Sequence, residues 1–597
     1  MKIIDYDILN TIINEPFINQ RILSKASGYS LGQVNKSLKM LVNEGYLSDS
    51  FSITDKAHNE LKEKRPKNAI ILAAGYGLRM SPINMEMPKG LVTVYGEPLI
   101  ERLITQLISV GVTDITVVVG FMKEQYDYLT DKYNVKLVVN MDYASKNNLH
   151  SLSLVRERLN NTYVLPCDIW CKDNPFRNNE WYSWYMVTDL VDDDSTVRAT
   201  RGKDLKMTEF GGNIMIGISY LHGQACKEVS EKLRLYSNNK KYEGTFWEET
   251  LYGDNGKMIV SAKLIPSSDV FEINTYEQLR ELDESSEALK SEVIMKIAEV
   301  FNCEPLSIND IDILKKGMTN RSFTFTNGNM RYIMRIPGEG TDRLINRKEE
   351  YAAYHAISSL RICDDVVYFN PDNGYRITVY FENARVCDQW DSRDVKACMS
   401  KLRAFHQLKL KVTHTFDVFE RIEFYERLWH TSNSCFIDYK NTKANVMRLK
   451  EYLNSVEIEH SLTHIDANPD NFLFIQKDGK EEIRLIDWEY AGMQDPHLDI
   501  AMFAIYSMYD REQTDALIDC YFYEGCPRDV RVKIYAYVAM CGLLWSNWCE
   551  YKRQMGVEFG EYALRQYRYA KDFYNIFNIE HENANRGRLV EEKIYSK

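Results

Sequence analysis

Apolar residues in the first 66 positions recur at helical spacing, Ile8, Ile12 and Ile13, then Ile22, Leu23 and Ala26, then Val34, Leu38, Leu41 and Val42. That pattern predicts three short amphipathic helices. Asn19 stands where an N-cap would open the second, Ser30 with Gln33 makes a capping box for the third, and Gly45 closes it. The stretch Tyr46 to Ile53 alternates, so residues 1–66 outline a winged helix-turn-helix. After the charged residues 62–67 the chain becomes continuously apolar from Ala69 to Ala74 and ends in Gly75, a buried strand running into a turn. Strand-like runs at 115–119, 136–139 and 163–166 alternate with helical stretches such as 99–110, the pattern of a doubly wound α/β domain with a parallel sheet. The acidic helical segment from Tyr276 to about Phe301 reads as a closing helix merging into a connector with few core positions. Strand pairs around 313–325 and 331–336 follow, then long Tyr- and Trp-rich helices after Val395, an α+β body with a helical end. The expected partition is 1–66, 67–290 and 291–597.

Length and charge narrow this picture. At about 100–200 residues per domain, 597 residues call for several domains, each with its own core. Seventy-four basic against 86 acidic residues leave a net charge of −12, which argues against a nucleic-acid-binding module as a whole. Gln33, Asn35, Lys36 and Lys39 share the third helix and could touch DNA, but acidic and basic residues nearly balance in that domain. A dimerisation or docking module is therefore expected there in preference to a DNA reader. The 12 cysteines are scattered, and Cys167 with Cys171 has no second pair to complete a zinc site. No apolar run approaches the roughly 18 residues of a membrane span and the N-terminus lacks a signal-peptide pattern, so the expected location is the cytoplasm.

Candidate chemistry falls into two clusters. The first is Leu72-Ala73-Ala74-Gly75-Tyr76-Gly77-Leu78-Arg79, followed by Pro88-Lys89. A glycine turn lets backbone N–H groups approach a triphosphate, and Arg79 and Lys89 can offset charge on the α-phosphate and leaving pyrophosphate. This string, extended by Gly96-Glu97-Pro98-Leu99, resembles the signature of sugar-1-phosphate and choline-phosphate nucleotidyltransferases over about Asn68 to Leu282. The resemblance implies a Rossmann-like domain with a nucleotide at the carboxyl ends of its strands and Mg²⁺ on Asp168 and Glu272. Asn274 stands where relatives carry a second carboxylate, a weaker ligand for a hard cation. Asn147, Asn148 and Ser151 resemble a stretch that lines the nucleotide site, or simply cap the next helix. The segments 179–185 and 246–248 resemble the acceptor-binding stretches of CTP:phosphocholine cytidylyltransferases, which implies Trp181, Trp247 and Glu248 as contacts to a quaternary ammonium, although strand aromatics also serve as core.

The second cluster is His464-Ile465-Asp466-Ala467-Asn468-Pro469-Asp470-Asn471 with Ile486-Asp487-Trp488-Glu489-Tyr490. In kinase-type transfer one Asp handles the acceptor hydroxyl's proton while an Asn and a second Asp hold Mg²⁺ against the phosphates, which suits Asp466, Asn471 and Asp487. His464 is read as packing, without a chemical role. Residues 291–579 are similar to choline kinases, implying a protein-kinase-like α+β fold, a phosphate-covering loop at Thr319 and Asn320, and an ion pair of Arg335 with Glu350 or its neighbour Glu349. Tyr490, Trp545, Trp548 and Tyr551 resemble the aromatic box of those enzymes, with Glu489 as a compensating charge; Trp545 and Trp548, three apart, share a helix face.

The two resemblances join as consecutive steps: ATP-dependent phosphorylation of choline, then cytidylyl transfer from CTP to phosphocholine, a route that in bacterial relatives feeds surface glycans. Ethanolamine or another amino alcohol, a sugar phosphate at the transferase site, and a DNA-binding regulator fused to enzymes are the alternatives.

Overall fold

The structure, a computed structural model, describes residues 1–15, 17–314, 320–338, 344–429, 433–477 and 479–595. Two compact units divide the chain, Met1–Ile313 and Leu314–Lys597.

The first unit opens with α1 (Ile3–Asn14), α2 (Gln20–Ser27), α3 (Leu31–Asn43) and α4 (Asp55–Glu63). Asn19 caps α2 through the amides of Arg21 and Ile22, and the Ser30–Gln33 capping box forms. Two features differ from the sequence reading. A fourth helix, begun by Thr54 accepting from the Ala57 amide, closes the domain. The expected hairpin shrinks to one bridge between Leu47 and Ile53. Ile8, Leu9, Val34, Leu38, Leu41 and Leu61 form the core of these helices.

A nine-stranded sheet follows, from β1 (Asn68–Ala73), β2 (Asp114–Val119), β3 (Lys136–Val139), β4 (Thr162–Pro166), β5 (Trp184–Asp192), β6 (Val197–Ala199), β7 (Asp204–Met207), β8 (Gly212–Leu221) and β9 (Lys257–Ile265). Its order is β3-β2-β1-β4-β8-β5-β9-β7-β6. The first four strands are parallel, as the alternating strand and helix pattern predicts. β8 then runs antiparallel to both β4 and β5, so the full sheet is mixed. β1 is buried along its whole length, with Ile70 and Ile71 pointing to opposite covered faces. The connector departs from its reading: Glu292–Phe301 is an amphipathic helix whose Val293, Ile294 and Ile297 are buried.

In the second unit, strands Asn320–Asn327 and Met330–Pro337 form an antiparallel pair, and Arg376–Val379 continues the sheet. Helix Arg347–Ile357 follows that pair. The strand Ser461–Thr463 leads into the candidate catalytic loop, and the hairpin Phe472–Lys477 with Lys480–Leu485 returns the chain to Asp487. Helices Leu498–Tyr506, Arg528–Gln554 and Glu561–Tyr595 make up the helical end. Arg528–Gln554 is buried from Val532 to Glu550, which explains a stretch so rich in apolar residues. Among the described residues no helix is long and apolar enough to cross a membrane.

Candidate active sites

A cleft of about 1110 Å³ lies at the carboxyl ends of β1 and β4. Ala74, Gly75, Gly77, Arg79, Lys89, Asn147, Asn148, Ser151, Asp168, Glu248, Glu272 and Asn274 all line it, although they span some 200 positions of sequence. Gly77 has φ +59°, and a Cβ there would meet Lys89 Cβ at 3.3 Å, so glycine lets the turn fold over the lysine without strain. Ala73 sits one residue earlier in the sheet core and does not reach the cleft.

The acidic and basic groups of this cleft form one cluster. Lys89 Nζ pairs with Asp168 and donates to Asn274 Oδ1 at 2.6 Å; Arg79 Nη2 donates to the same oxygen at 3.0 Å. Asp168 Oδ1 is buried with no hydrogen-bond partner among the described residues. Burial, then the neighbouring Asp168, pushes the Glu272 carboxyl above its ordinary range. Two carboxylates and a neutral amide oxygen are a hard-oxygen donor set suited to Mg²⁺ completed by water and phosphate oxygens.

Asn147 caps the helix Asn148–Ser153 by accepting from the Asn148 amide at 2.7 Å, and it also faces the cleft. Glu248 accepts from the Tyr185 hydroxyl at 3.0 Å through Oε1, while its buried Oε2 has no partner among the described residues. Burial pushes its carboxyl up to about 7. Such a group gains from an arriving cation. Trp247 is a correction: it is 1% exposed in the core behind the cleft, packed near Tyr185, and does not line the cavity. Trp181 is another: its ring lies in the core of the N-terminal helices, stacked on Tyr6. Tyr185, which does reach the cleft, was hidden in the sequence because alternate strand positions look equally aromatic.

In the second unit Asp466 sits at the centre of a hydrogen-bond fan. Tyr506 donates to Oδ1 at 2.6 Å, and Asn471 and Asn468 donate to Oδ2 at 3.0 and 3.2 Å. Asn471 commits its amide nitrogen to Asp466, so its oxygen is the atom available to a cation. Ile465 holds φ +71°, a backbone setting fixed by Asp499, which accepts from the amides of Ile465 at 2.7 Å and His464 at 3.0 Å. His464 is fully buried edge-on against Trp488, as its packing role requires.

Arg335 donates to Glu350 at 2.8 Å, and Arg347 and Arg376 donate to the same carboxylate at 3.0 and 3.1 Å, so Glu350 rather than Glu349 is the partner. Burial raises Glu350, but the three guanidiniums outweigh it and hold the carboxyl below its usual range. Asp487 Oδ1 lies 3.8 Å from Arg335. Glu489 lies 3.7 Å from Arg335 and 3.9 Å from Arg347, and burial, then the neighbouring Asp487, holds its carboxyl well above the ordinary range. That revises its reading as the counter-charge of the aromatic box. Thr319 lies outside the described residues, and Asn320 begins the first strand of the sheet pair.

The box itself gathers Tyr490, Trp545 and Trp548, with ring centroids 5.8 Å (Tyr490–Trp545) and 5.6 Å (Trp545–Trp548) apart, both edge-on. Tyr506 joins at 5.6 Å from Trp545 and 6.2 Å from Tyr562. Tyr551 packs on the same core and makes no ring contact with the box among the described residues. The sequence reading missed Tyr506 and Tyr562: one lies in an apolar helix that reads as core, the other on a helix without a motif. Asp466 is tied to this box directly, through the hydrogen bond it accepts from Tyr506.

Burial, with Asp487 adding to it against the opposing pull of Tyr506, lifts the Asp466 carboxyl to about 7. A group that must accept a proton works only when ionised. The phosphorylation rate at limiting substrate should therefore fall tenfold per pH unit below about 7 and level off above it, read as kcat/KM against pH. A flat profile from pH 6 to 8 would remove Asp466 from proton transfer.

Family profiles match residues 1–48 as a winged helix-turn-helix DNA-binding domain, 69–177 as a MobA-like NTP transferase domain and 311–528 as a choline/ethanolamine kinase. Choline-phosphate cytidylyltransferase of Streptococcus pneumoniae is 33% identical over 221 residues, 36% of this chain and 96% of that protein. Protein LicA of Haemophilus influenzae is 26% identical over 264 residues, 42% of this chain and 96% of that protein. The crystal structure of choline kinase LicA from Streptococcus pneumoniae, 25% identical, covers 48% of this chain and 99% of its own, with a TM-score of 0.42.

Proposed function

The chain belongs, through its transferase domain, to the choline-phosphate cytidylyltransferase family, and we propose that it makes CDP-choline in two steps, phosphorylating choline with ATP and then transferring CMP from CTP to the phosphocholine formed. The observation that carries the reading is the pairing, in one polypeptide, of an Asp466-centred phosphotransfer site walled by aromatic rings with a nucleotide cleft holding Asp168, Glu272, Lys89 and Arg79. The functional segments are 1–66, 67–290 and 291–597.

In the first step Asp466 accepts the proton of the choline hydroxyl as its oxygen attacks the γ-phosphorus and ADP leaves. The rings of Tyr490, Tyr506, Trp545 and Trp548 face the trimethylammonium, which can donate no hydrogen bond. Arg335, kept in place by Glu350, lies beside the phosphate side of the site. Asn471 and Asp487 would hold Mg²⁺, which would supply positive charge to stabilise the transferring phosphoryl group. In the second step a phosphocholine oxygen attacks the α-phosphorus of CTP and pyrophosphate leaves. Arg79 and Lys89 turn from Asn274 and Asp168 to the phosphates, while Asp168, Glu272 and Asn274 would hold the metal ion. Glu248 meets the cationic end. Both steps gain chiefly from positioning and charge stabilisation. The family resemblance supports use of the product in decorating surface glycans.

A second reading, ethanolamine as acceptor, is favoured by the breadth of the choline/ethanolamine kinase family. Incubating the protein with Mg²⁺, ATP, CTP and equal choline and ethanolamine, with products identified by mass, decides between them. CDP-choline in excess is the expected product; CDP-ethanolamine in excess would select the second reading, and phosphocholine without any CDP-alcohol would remove the transferase assignment.

A further inference from the structure

The N-terminal helices and the transferase sheet share side chains. Trp181 is 3% exposed within the core of the N-terminal helices, and Tyr182 packs against both that core and the core of the sheet. The Tyr182 hydroxyl donates to Asp7 Oδ1 at 2.8 Å. Lys203 Nζ and the Tyr29 hydroxyl donate to Asp7 Oδ2 at 2.7 and 2.5 Å. Asp7 thus ties three segments distant in sequence. Backbone links add to this: Asn161 Nδ2 donates to the carbonyls of Glu63 at 2.7 Å and Arg65 at 3.1 Å, and Arg65 Nε to that of Asn178 at 3.2 Å. A reader domain swinging on a linker would need none of these contacts.

What the grip reaches is the acceptor end of the cleft. Three residues past Tyr182, and about 10 Å along an extended chain, Tyr185 donates to Glu248. Trp184 and Tyr185 face opposite sides of the sheet, so the start of β5 is clamped on one face while it presents the partner of a cleft carboxylate on the other. Lys203 extends the clamp to β9, since its carbonyl accepts from the Ala262 amide at 2.7 Å.

We propose that the N-terminal domain is a positioning element for the acceptor end of the transferase cleft, acting through Asp7 and Tyr182 on the Tyr185–Glu248 pair. The inference rests on the cytidylyltransferase reading of that cleft. It assigns the domain a role in small-molecule catalysis, with no nucleic acid required. Loosening β5 weakens acceptor binding equally in the ground and transition states, so KM should carry the effect.

The test uses the full chain with Asp7→Ala, Asp7→Asn and Tyr182→Phe, the last keeping the buried ring and removing only the hydroxyl. In Asp7→Ala and Tyr182→Phe, KM for phosphocholine should rise about three- to tenfold, the range of coupling carried through packed elements. Transferase kcat, KM for CTP and the rate of choline phosphorylation should stay within about twofold. Asp7→Asn retains an acceptor oxygen for Tyr182 but turns an NH2 donor toward Lys203, so it should restore only part of the loss. A lowered Tm with KM for phosphocholine unchanged would make the contact purely structural and overturn the proposal. Wild-type protein that forms no CDP-choline from phosphocholine and CTP would defeat the transferase reading, and the proposal with it, independently of any variant.

Discussion

Asp466→Asn should lower ATP-dependent phosphorylation of choline by about 10²- to 10⁴-fold, the usual worth of a positioned proton acceptor, while cytidylyl transfer to supplied phosphocholine continues at the wild-type rate. The carboxylate is held from three sides, by Tyr506, Asn468 and Asn471, and its loop is anchored through Asp499. Asparagine keeps the size and most of the hydrogen bonding but cannot take a proton. A folding defect is not expected to imitate this result. Burial lifts the Asp466 carboxyl to about 7, so the folded state disfavours its ionised form, and above pH 7 the wild type bears a penalty that the amide lacks. The variant should therefore melt at or above the wild-type temperature at pH 8. Equal loss of both reactions in a protein with wild-type Tm would end the division of labour between the two sites.

The reciprocal experiment has a comparable effect. Asp168→Asn should reduce CDP-choline formation by about 10²- to 10³-fold or more, with phosphocholine accumulating unchanged from choline and ATP. Asp168 meets Lys89 on one oxygen and leaves the other buried without a partner among the described residues, so the substitution removes an ion pair and an anionic donor together. Asn274→Asp should act in the opposite direction on the metal, lowering the Mg²⁺ concentration for half-maximal transfer, because a second anionic oxygen replaces an amide that now accepts from Lys89 and Arg79. Titration of transferase rate against Mg²⁺ reads this directly. An unchanged midpoint would place residue 274 outside the metal's coordination and leave it as a tether for the two cations.

Sequence alone determines whatever depends on neighbours along the chain. The caps at Asn19 and Ser30, the β1 strand running into Gly75 and Gly77, and the loop from Asp466 to Asn471 are local, because capping, left-handed turns and short loops are set by residues within a few positions of one another. What required the folded chain was partnership across distance. Trp181 and Tyr185 lie four apart in one aromatic segment, yet one completes the core of another domain and the other reaches the cleft. Glu489 adjoins Tyr490 in sequence but faces Arg335 and Arg347 instead of the ring box. Tyr506 approaches Asp466 from 40 positions away on a helix that reads as plain core. Burial and hydrophobic patterning are blind to such choices, since an aromatic ring fills a core and walls a binding site with the same surface, and the difference lies only in which distant group stands opposite.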